Sequence, residues 1–418
     1  MLSMRKRVSV FIAIVFAIAS LGLAPAYAVD ERVIDVVAVT WNGAATALSN
    51  PKTIAGVIDT EVNADWKKFT TMVGATTDRT ISFKTGKVLE TPITLPSKMA
   101  CTGSAASDFM TSIRSEAYRR LGVANSFNRY LVVYSPKAGC VWSGRAGLGG
   151  PKSVSGTLIL HDSDSSFVIA HELGHTFGLG HSNFLRCDNA AYDGPWGETC
   201  KGVEYGGTID VMGNIDTTSP LNTYHQWRMG YIDDSQIKQV WQSEVINLAP
   251  SDFANGIRAI YIRDGKAAYW IEYRRKLDGA TYKPGLVIFR LDPPPIASVV
   301  SPNPEDASAA EFGAYLGTDL WMLNLDTYQY KDSRSVGGSM TALTATTYSG
   351  NISFSAVASE TGAAVTIKRK SDGMAPPVPL VVAFEQWRSP GMTILQAGYE
   401  GTDTAITAFE AQVDGVTK

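Results

Sequence analysis

The chain has 418 residues, enough for two or three domains, because single hydrophobic cores usually stop growing near about 250–300 residues. Its 45% apolar and 18% charged residues are typical of a globular protein and exclude a low-complexity or collagen-like chain. The formal net charge of −3 and the pI of about 6.0 argue against nucleic acid or an anionic membrane as a partner, since either would need a clustered basic face.

The N-terminus has the pattern of a secretory signal. The basic residues 5–7 precede an apolar run from Val8 to Ala24, and Ala26–Ala28 supplies a small-x-small cleavage site. A membrane anchor is the alternative, but the run is interrupted by polar residues and barely reaches the roughly 20 residues that a spanning helix needs. We therefore expect residues 1–28 to be a cleaved signal peptide, the mature protein to begin near Val29, and no membrane association after cleavage.

Strands and helices alternate in the first half of the chain. An apolar, β-branched strand is predicted from Val33 to Thr40, followed by an amphipathic helix from Pro51 to about Val73. A second helix is predicted from about Ser107 to Leu121, and the strand RYLVVYS follows directly. After a glycine-rich stretch comes the strand Thr157–His161. This alternation predicts an α/β sheet with helical cover.

Beyond about residue 234 the pattern changes to β-rich segments separated by turn signals. We therefore expect one domain over residues 29–240 and a separate β-rich domain over residues 241–371. Consecutive prolines favour a linker at 372–379, and the segment 372–418 is expected to contain this linker and the start of a possible further β-domain.

The four cysteines form an even set, and four cysteines allow three pairings. Proximity in sequence favours Cys101 with Cys140 and Cys187 with Cys200. Export would place them in an oxidising compartment where disulfides persist, so four buried free thiols are the less favoured alternative.

Three of the five histidines fall within residues 171–181, HELGHTFGLGH. On a helix, positions i and i+4 lie on one face, so His171 and His175 can present their imidazoles to one metal ion. The two glycines that follow predict the end of the helix and a sharp turn of the chain. His181 can thus return as a third ligand.

This spacing favours a catalytic zinc site. Three imidazoles leave a fourth tetrahedral position for water, whose pKa zinc lowers to about 7. Glu172 is rotated by about 100° around the helix from His171, towards that water rather than the metal, and is predicted to act as general base. The alternatives are that the histidines are satisfied polar residues or that they form a closed structural zinc site. A closed site would normally use four protein ligands, often cysteines, and the cysteines here are expected to form disulfides.

The motif H-E-x-x-H-x-x-G-x-x-H and the sequence Asp210–Gly213 resemble the zinc signature and Met-turn of the metzincin clan of metallopeptidases. Within the clan the chain is most similar to gametolysin-like and related bacterial secreted peptidases, over about Val33–Gly373 and most strongly over Gly139–Ile232. The resemblance implies an α/β metzincin catalytic domain, with a twisted, mostly parallel sheet and a zinc-site helix, followed by a β-sandwich-like domain. It also implies that Met212 lies beneath the metal.

The chain departs from parts of the clan in two respects. Astacin-like and serralysin-like members have a zinc-binding tyrosine two residues after the methionine, where this chain has Asn214, so no such tyrosine is expected. The region before Val33 contains neither a cysteine-switch motif nor the length of a conventional pro-domain.

Two segments are candidates for substrate contacts. By resemblance, Ile215–Leu221 would form the wall of the primed-side specificity pocket, with an ordinary loop as the alternative. The glycine-rich stretch Gly144–Gly156 precedes a strand, and an exposed edge strand there could pair with an extended substrate. A plain connecting loop is an equal alternative.

Other polar residues receive weaker predictions. His225 is expected to be a hydrogen-bonded packing residue rather than a fourth ligand, and His161 has no assigned role. Asp188, Asp193 and Glu198 could hold a structural calcium ion, but their spacing does not match an EF-hand loop, so a solvated loop closed by a disulfide is the favoured alternative.

Together these features predict a secreted, extracellular zinc endopeptidase that acts on protein or peptide substrates, among which a cell-wall or matrix glycoprotein is one candidate. The alternative is a secreted adhesin or binding module with a vestigial zinc site. The intact Glu172 argues against that alternative, because loss of selection would be expected to damage the general base first.

Overall fold

The structure is a computed structural model that describes most of residues 30–370 and two short pairs near the C-terminus. The predicted signal segment, residues 1–28, and the predicted linker, residues 372–379, lie outside the described residues. The described ranges are 30–44, 50–76, 79–101, 103–124, 127–137, 139–150, 153–161, 163–188, 191–207, 209–213, 219–265, 267–278, 284–292, 294–300, 319–323, 325, 343–370, 412–413 and 416–417.

A five-stranded sheet forms the first layer of a mixed α/β fold. Its strands are β1 (Asp30–Trp41), β2 (Ile81–Leu95), β3 (Arg129–Ser135), β4 (Gly144–Ala146) and β5 (Gly156–His161). The spatial order is β2-β1-β3-β5-β4. Neighbours are parallel except for β4, which runs antiparallel to β5 at one edge. The predicted strands at 33–40, 129–135 and 157–161 are confirmed.

Helices cover both faces of this sheet. They are α1 (Pro51–Val57), a π-helical turn (Ile58–Val62), α2 (Asn63–Thr70), α3 (Gly103–Leu121) and α4 (Ser166–Thr176). Ile34 and Val36 of β1 pack in the same core as α1, α2 and α4, whereas Val37 and Val39 pack in the core that contains α3. The unbroken apolar run of β1 therefore fits a strand that is buried on both faces.

Strand β2 was not predicted from the sequence. Its burial alternates only weakly, and it contains Pro92, a residue that cannot donate to a β-ladder and is confined largely to edge strands. β2 does lie at the edge of the sheet, paired only with β1 among the described strands. An edge strand has one solvated side and so lacks the continuous apolar signal of β1.

Two further large sheets, besides a two-stranded one, are built from the remaining described residues. Their strands are β6 (Ser182–Cys187), β7 (Cys200–Val203), β8 (Ile237–Gln239), β9 (Glu244–Leu248), β10 (Ala259–Asp264), β11 (Ala267–Arg274), β12 (Gly285–Arg290), β13 (Val299–Val300), β14 (Leu320–Leu323), β15 (Thr344–Thr346), β16 (Ile352–Ser359) and β17 (Gly362–Arg369). The short helix α5 (Thr223–Arg228) follows β7, and β18 (Gln412–Val413) pairs with β19 (Val416–Thr417) near the C-terminus.

The larger of these sheets has eight strands in the order β13-β7-β6-β14-β12-β11-β10-β8, and the smaller has the order β15-β16-β17-β9. One hydrophobic core contains side chains from both, including Ile260 and Ile271 of the first and Phe354 and Val365 of the second. Strands β6 and β7 come from the first predicted domain but pair within the same sheet as β10–β14. The two sequence regions on either side of residue 240 are thus joined by a shared sheet.

Both predicted disulfides are present, Cys101–Cys140 and Cys187–Cys200, and no cysteine is free. Cys187 and Cys200 are partners in the antiparallel pairing of β6 with β7, so the bond closes the loop between these two strands. Disulfides are typical of proteins in oxidising compartments. None of the helices among the described residues has the length and apolarity needed to cross a membrane.

Replacing Cys187 and Cys200 together by serine is expected to lower the free energy of unfolding by about 3 kcal/mol, because a bond that closes a loop of this size restricts the unfolded chain by about that amount. The buried contact between Arg290 Nη1 and Asp193 Oδ1, at 2.8 Å, still ties the loop to β12, so the variant should fold. Denaturant unfolding of the variant and of the wild type measures the difference. The exposed Asp188→Ser in the same loop is the control and should change stability by less than about 0.5 kcal/mol. Equal stability of the double variant and the wild type would contradict the expectation.

Candidate metal centre

Three histidine side chains meet next to the five-stranded sheet. One potential ligand atom from each of His171, His175 and His181 lies within 4.8 Å of the other two, and all three residues are buried. The Nε2 atoms of His175 and His181 are 3.0 Å apart. The structure thus brings together the three side chains that the sequence motif singled out. They form a group of described residues that could hold a metal ion.

Helix α4 and the turn after it account for this convergence. His171 and His175 are one helical turn apart on α4, and their ring centroids are 4.8 Å apart. The helix ends at Thr176, and Gly178 takes a left-handed conformation with φ of +79°, which costs a glycine little. The chain then reverses, and His181 returns to the other two imidazoles.

Each imidazole has an oxygen partner on the ring nitrogen that faces away from the others. Nδ1 of His171 lies 2.8 Å from the carbonyl oxygen of Val211, and Nδ1 of His175 lies 2.8 Å from that of Leu179. Nδ1 of His181 lies 3.0 Å from Oε1 of the buried Glu204. Because a carbonyl oxygen can only accept a hydrogen bond, Nδ1 of His171 and Nδ1 of His175 carry the proton, and the Nε2 atoms of these two residues keep the lone pair that a metal needs.

This arrangement fits zinc. Metal-bound histidines typically donate their other ring N–H to a carbonyl or carboxylate oxygen, and three histidines with an open fourth position are characteristic of catalytic zinc. Burial lowers the pKa of His171 to about 3 and that of His175 well below its usual value, so both are neutral, as ligands must be. Burial also acts to lower the pKa of His181, but the neighbouring Glu204 carboxylate outweighs it and raises that pKa.

Glu204 was not predicted from the sequence. It belongs to the run EYGG, whose letters carry no ligand spacing relative to the histidines. It reaches His181 because strand β7 pairs antiparallel with β6, the strand that begins directly after His181. The only sequence signal was the presence of a carboxylate between the third histidine and the Met-turn.

Met212 lies fully buried against the helix that carries two of the histidines. A Cβ atom added to Gly174 of α4 would overlap Sδ of Met212, so the glycine allows this close approach. The preceding Val211 provides the carbonyl oxygen that His171 contacts. The turn predicted from the resemblance therefore packs against α4 and supports one imidazole through its main chain.

Asp210 anchors this turn. It is completely buried and accepts hydrogen bonds from Ser182 Oγ at 2.7 Å, from the Met212 amide at 3.0 Å and from the Asn222 amide at 3.0 Å. Burial acts to raise its pKa, but these bonds and the nearby His225 hold it well below the usual range. Asp210 belongs to the motif Asp210–Gly213, but nothing in the sequence predicts this anchoring role.

His225 and His161 lie outside the histidine cluster. His225 of α5 is fully buried, with Nδ1 2.9 Å from Asn222 Nδ2, so it is a hydrogen-bonded packing residue, as predicted. His161 Nδ1 lies 2.9 Å from Ser135 Oγ, and its ring packs against Trp142 with centroids 4.1 Å apart.

Glu172 is buried directly beneath the edge strand β4. A Cβ atom added to Gly144 of that strand would lie 2.7 Å from Oε1 of Glu172 and 2.6 Å from Cγ1 of Val168. A Cβ atom on Gly149 would overlap the carbonyl oxygen of Thr176. The glycines in this stretch thus let the chain from β4 onward lie against α4, and of the two alternatives for the stretch an edge strand is present at Gly144–Ala146.

Tyr205 is a further residue that the sequence did not single out. Its ring centroid is 4.0 Å from that of His181, and its φ of +58° is the only positive value among the described non-glycine residues. The left-handed region costs a residue with a Cβ roughly 1 kcal/mol or more. The Tyr205 amide donates to Oδ1 of Asn183 at 2.9 Å, a contact that holds this conformation.

Two further sequence predictions concern the specificity segment and a calcium site. Residues 215–218 of the predicted specificity segment Ile215–Leu221 lie outside the described residues, as does Asn214. The loop closed by Cys187 and Cys200 does not support a calcium site, because Asp193 already accepts from Arg290 Nη1 at 2.8 Å and from the Tyr269 hydroxyl at 2.6 Å, while Asp188 and Glu198 are exposed. The charge of Asp193 is thus already compensated by the Arg290 guanidinium, and the carboxylates of this loop do not form a group of three potential ligands among the described residues.

Comparison with known families identifies the central part of the chain. Residues 69–267 match the model of the family described as gametolysin peptidase M11, which confirms the resemblance seen in the motif. The match includes the histidine cluster, Glu172 and the turn that contains Met212, and the matching family is one of metallopeptidases. Comparison with curated proteins gives no match.

Three solved structures have weak similarity to the chain. One is a chaperone–substrate complex with 15% identity and a TM-score of 0.24, covering 47% of this chain and 30% of that one. Wild type OgpA from Akkermansia muciniphila has 14% identity and a TM-score of 0.27, covering 60% and 74%. Catalytically inactive OgpA from Akkermansia muciniphila, in complex with an O-glycopeptide (glycodrosocin) substrate, has 9% identity and a TM-score of 0.25, covering 60% and 74%. The chain thus spans 30% of the length of the first of these structures, and at such TM-scores none of them establishes a shared fold.

Proposed function

We propose that this chain, whose residues 69–267 match the gametolysin peptidases, is a secreted zinc endopeptidase of the metzincin type. The observation that carries the proposal is the buried cluster of His171, His175 and His181, each with an oxygen partner on Nδ1, beside the buried carboxylate of Glu172. The three histidines would hold the metal, and Glu172 would be the catalytic general base. A structural zinc site with four protein ligands is not favoured, since all four cysteines are in disulfides.

The chemistry divides between the metal and the protein. Zinc, when bound, supplies a Lewis acid for the scissile carbonyl and lowers the pKa of a water molecule. Glu172 takes a proton from the attacking water and gives it to the nitrogen of the leaving amine, so that one carboxylate acts first as base and then as acid. The carbonyl oxygens of Val211 and Leu179 hold His171 and His175 in one orientation and one tautomer through both steps, and Glu204 orients His181.

The substrate is proposed to bind as an extended strand along β4. This strand forms the edge of the five-stranded sheet, and Gly144 lies directly against the Glu172 side chain. Main-chain pairing with an edge strand binds peptides largely without regard to sequence, and the pockets on either side give specificity. A peptide paired there would have its main chain next to the general base, and Ile215–Leu221 remains our candidate for the primed-side wall.

The metzincin fold and the β-sandwich-like second domain are parts of the same proposal. The five-stranded sheet with α4 beside it is compatible with a metzincin catalytic domain. The core shared by the eight-stranded and four-stranded sheets is compatible with a sandwich-like arrangement. The proposed domains are residues 29–240 and 241–371. Strands β6 and β7 of the first domain belong to the eight-stranded sheet, which also contains strands of the second domain.

The proposal also includes secretion of the protein. The two disulfides fit an oxidising compartment, and the basic residues 5–7, the apolar run and the small-x-small site support a cleaved signal. The substrate class is protein or peptide. A cell-wall or matrix glycoprotein remains a prediction from the sequence alone.

The proposed function is tested by metal removal. We expect the purified protein to cleave members of a fluorogenic peptide library, to lose this activity after dialysis against a chelator, and to recover it on addition of one equivalent of zinc, because the ion supplies both the acidified water and the Lewis acid. Addition of magnesium, which prefers oxygen ligands, is the control and should restore nothing. Zinc-loaded protein that cleaves no peptide across the library would overturn the proposal and favour the secreted binding module.

A further inference from the structure

The main-chain amide and carbonyl of the third histidine, His181, form hydrogen bonds with a distant segment of the chain. His181 follows the helix-ending glycine turn, so neither its amide nor its carbonyl can bond within α4. The His181 amide donates to Oδ1 of Asp319 at 2.8 Å, and its carbonyl oxygen accepts from the Leu320 amide at 3.1 Å. Both main-chain groups of a buried proposed ligand are thus satisfied by two residues that lie 138 and 139 positions later in the chain. Buried main-chain groups without partners are costly, so these contacts constrain where His181 can lie.

Asp319 also links His181 to Asn183 and Tyr205 through hydrogen bonds. It is 2% exposed, and its second oxygen, Oδ2, accepts from Nδ2 of Asn183 at 2.9 Å. Oδ1 of Asn183 in turn accepts from the amide of Tyr205, whose ring lies over the His181 imidazole. One carboxylate therefore orders the main chain of His181 and, through Asn183, the residue that packs on its ring.

Strand pairing keeps this connection in register. β14 pairs parallel with β6, with Leu320 opposite Ser182 and Trp321 opposite Asn183, and both strands lie inside the eight-stranded sheet. Asp319 directly precedes β14, just as His181 directly precedes β6. The two residues are thus aligned at the same end of paired strands, and the aspartate lies well beyond the region that matches the peptidase family, which ends at residue 267.

We propose that Asp319 is a positioning residue of the metal centre: it holds the main chain of His181 so that the third imidazole meets the other two, and the segment 319–323 therefore completes the site. This inference rests on the proposed zinc-binding role of the three histidines. Aspartate is suited to this task because its two carboxyl oxygens can accept two hydrogen bonds at once, here from the His181 amide and from Asn183 Nδ2.

The test measures zinc affinity rather than hydrolysis. Asp319→Ala in the full-length protein should bind zinc about 10- to 100-fold more weakly than the wild type, which is the usual effect of removing a residue that orients a metal ligand. The dissociation constant is obtained by competition with a chromophoric chelator. The visible spectrum of the cobalt(II)-substituted protein should change as well, because it reports the geometry of the metal ligands.

Asp264→Ala is the matched control. Asp264 is also a buried aspartate of the eight-stranded sheet and also contacts two side chains, those of Ser349 and Asn351, but neither belongs to the metal centre. Both variants should lose stability, and only Asp319→Ala should lose zinc affinity and alter the cobalt spectrum. Asn183→Ala should weaken zinc binding less than Asp319→Ala, because it leaves the bond from the His181 amide in place.

The outcomes separate the two proposals. A wild type that binds no zinc would overturn the proposed function and this inference with it. A wild type that binds zinc, together with an Asp319→Ala variant of equal affinity and unchanged cobalt spectrum, would overturn the positioning role alone. If Asp319→Ala does not fold, Asp319→Leu applies the same criterion, since leucine has a similar volume and offers no acceptor to the His181 amide or to Asn183 Nδ2.

Discussion

Replacing Glu172 by alanine is expected to lower the rate of peptide hydrolysis by at least about 10²- to 10⁴-fold, the usual contribution of general acid and base catalysis. The reduction should reach the upper part of that range, since the same carboxylate is proposed to serve both proton transfers. Zinc content should remain at one equivalent, because all three histidines and their oxygen partners stay in place. Steady-state kinetics and elemental analysis measure the two quantities.

Glu61→Ala is the control for this variant. Glu61 is an exposed carboxylate in the π-helical turn that follows α1, and its removal should leave kcat/KM unchanged. Glu172 packs against Gly144 of the edge strand, so its truncation also removes contacts with β4, and Glu172→Gln separates the two effects because it keeps the volume and loses the base. If either Glu172 variant hydrolyses peptides at the wild-type rate, the general-base assignment fails.

Replacing His175 by alanine is expected to abolish both zinc binding and hydrolysis. His175 is the central member of the cluster, with its ring centroid 4.8 Å from that of His171 and 4.7 Å from that of His181. Two remaining imidazoles cannot provide the three protein ligands of a catalytic zinc site. Unlike the Glu172 variants, this protein should contain no stoichiometric zinc after dialysis, and added zinc should not restore activity.

His161→Ala is the matched control, since His161 is also buried and neutral, its pKa lowered to about 4 mainly by burial. It contacts Ser135 and Trp142 instead of the cluster, so its loss should reduce stability and leave zinc content unchanged. Stoichiometric zinc in the His175 variant would place the metal elsewhere. The two variants together separate loss of the general base from loss of the metal.

The approach of the three histidines to one another could be predicted from the sequence, because it depends only on helix geometry and on the glycine turn after the helix. His171 and His175 are four residues apart, and any α-helix places such residues on one face. Gly178 could be identified as the point where the chain reverses, since glycine takes left-handed dihedral angles at little cost. The two disulfides were predicted from sequence proximity, and β1 from its unbroken apolar run.

Residues that act across the fold could not be found in this way. Glu204, Asp319 and Arg290 are ordinary charged residues in the sequence, and nothing in their spacing relates them to their partners. Glu204 approaches His181 because β7 pairs with β6, and Asp319 reaches the same residue because β14 pairs with β6 on the other side. Arg290 pairs with Asp193, a carboxylate that the sequence had suggested as a possible calcium ligand.

The sequence was therefore sufficient for the histidine cluster, the candidate general base and the class of chemistry, because these depend on a short segment with a fixed helical period. The supports that orient the imidazoles depended on strand pairing between segments far apart in the chain. Pairing order in a sheet is set by which buried faces and main-chain groups satisfy one another in three dimensions, and it leaves no periodic signal in the residues concerned. For the same reason the eight-stranded sheet joins the regions on either side of residue 240, where the change to β-rich segments separated by turn signals had suggested a boundary.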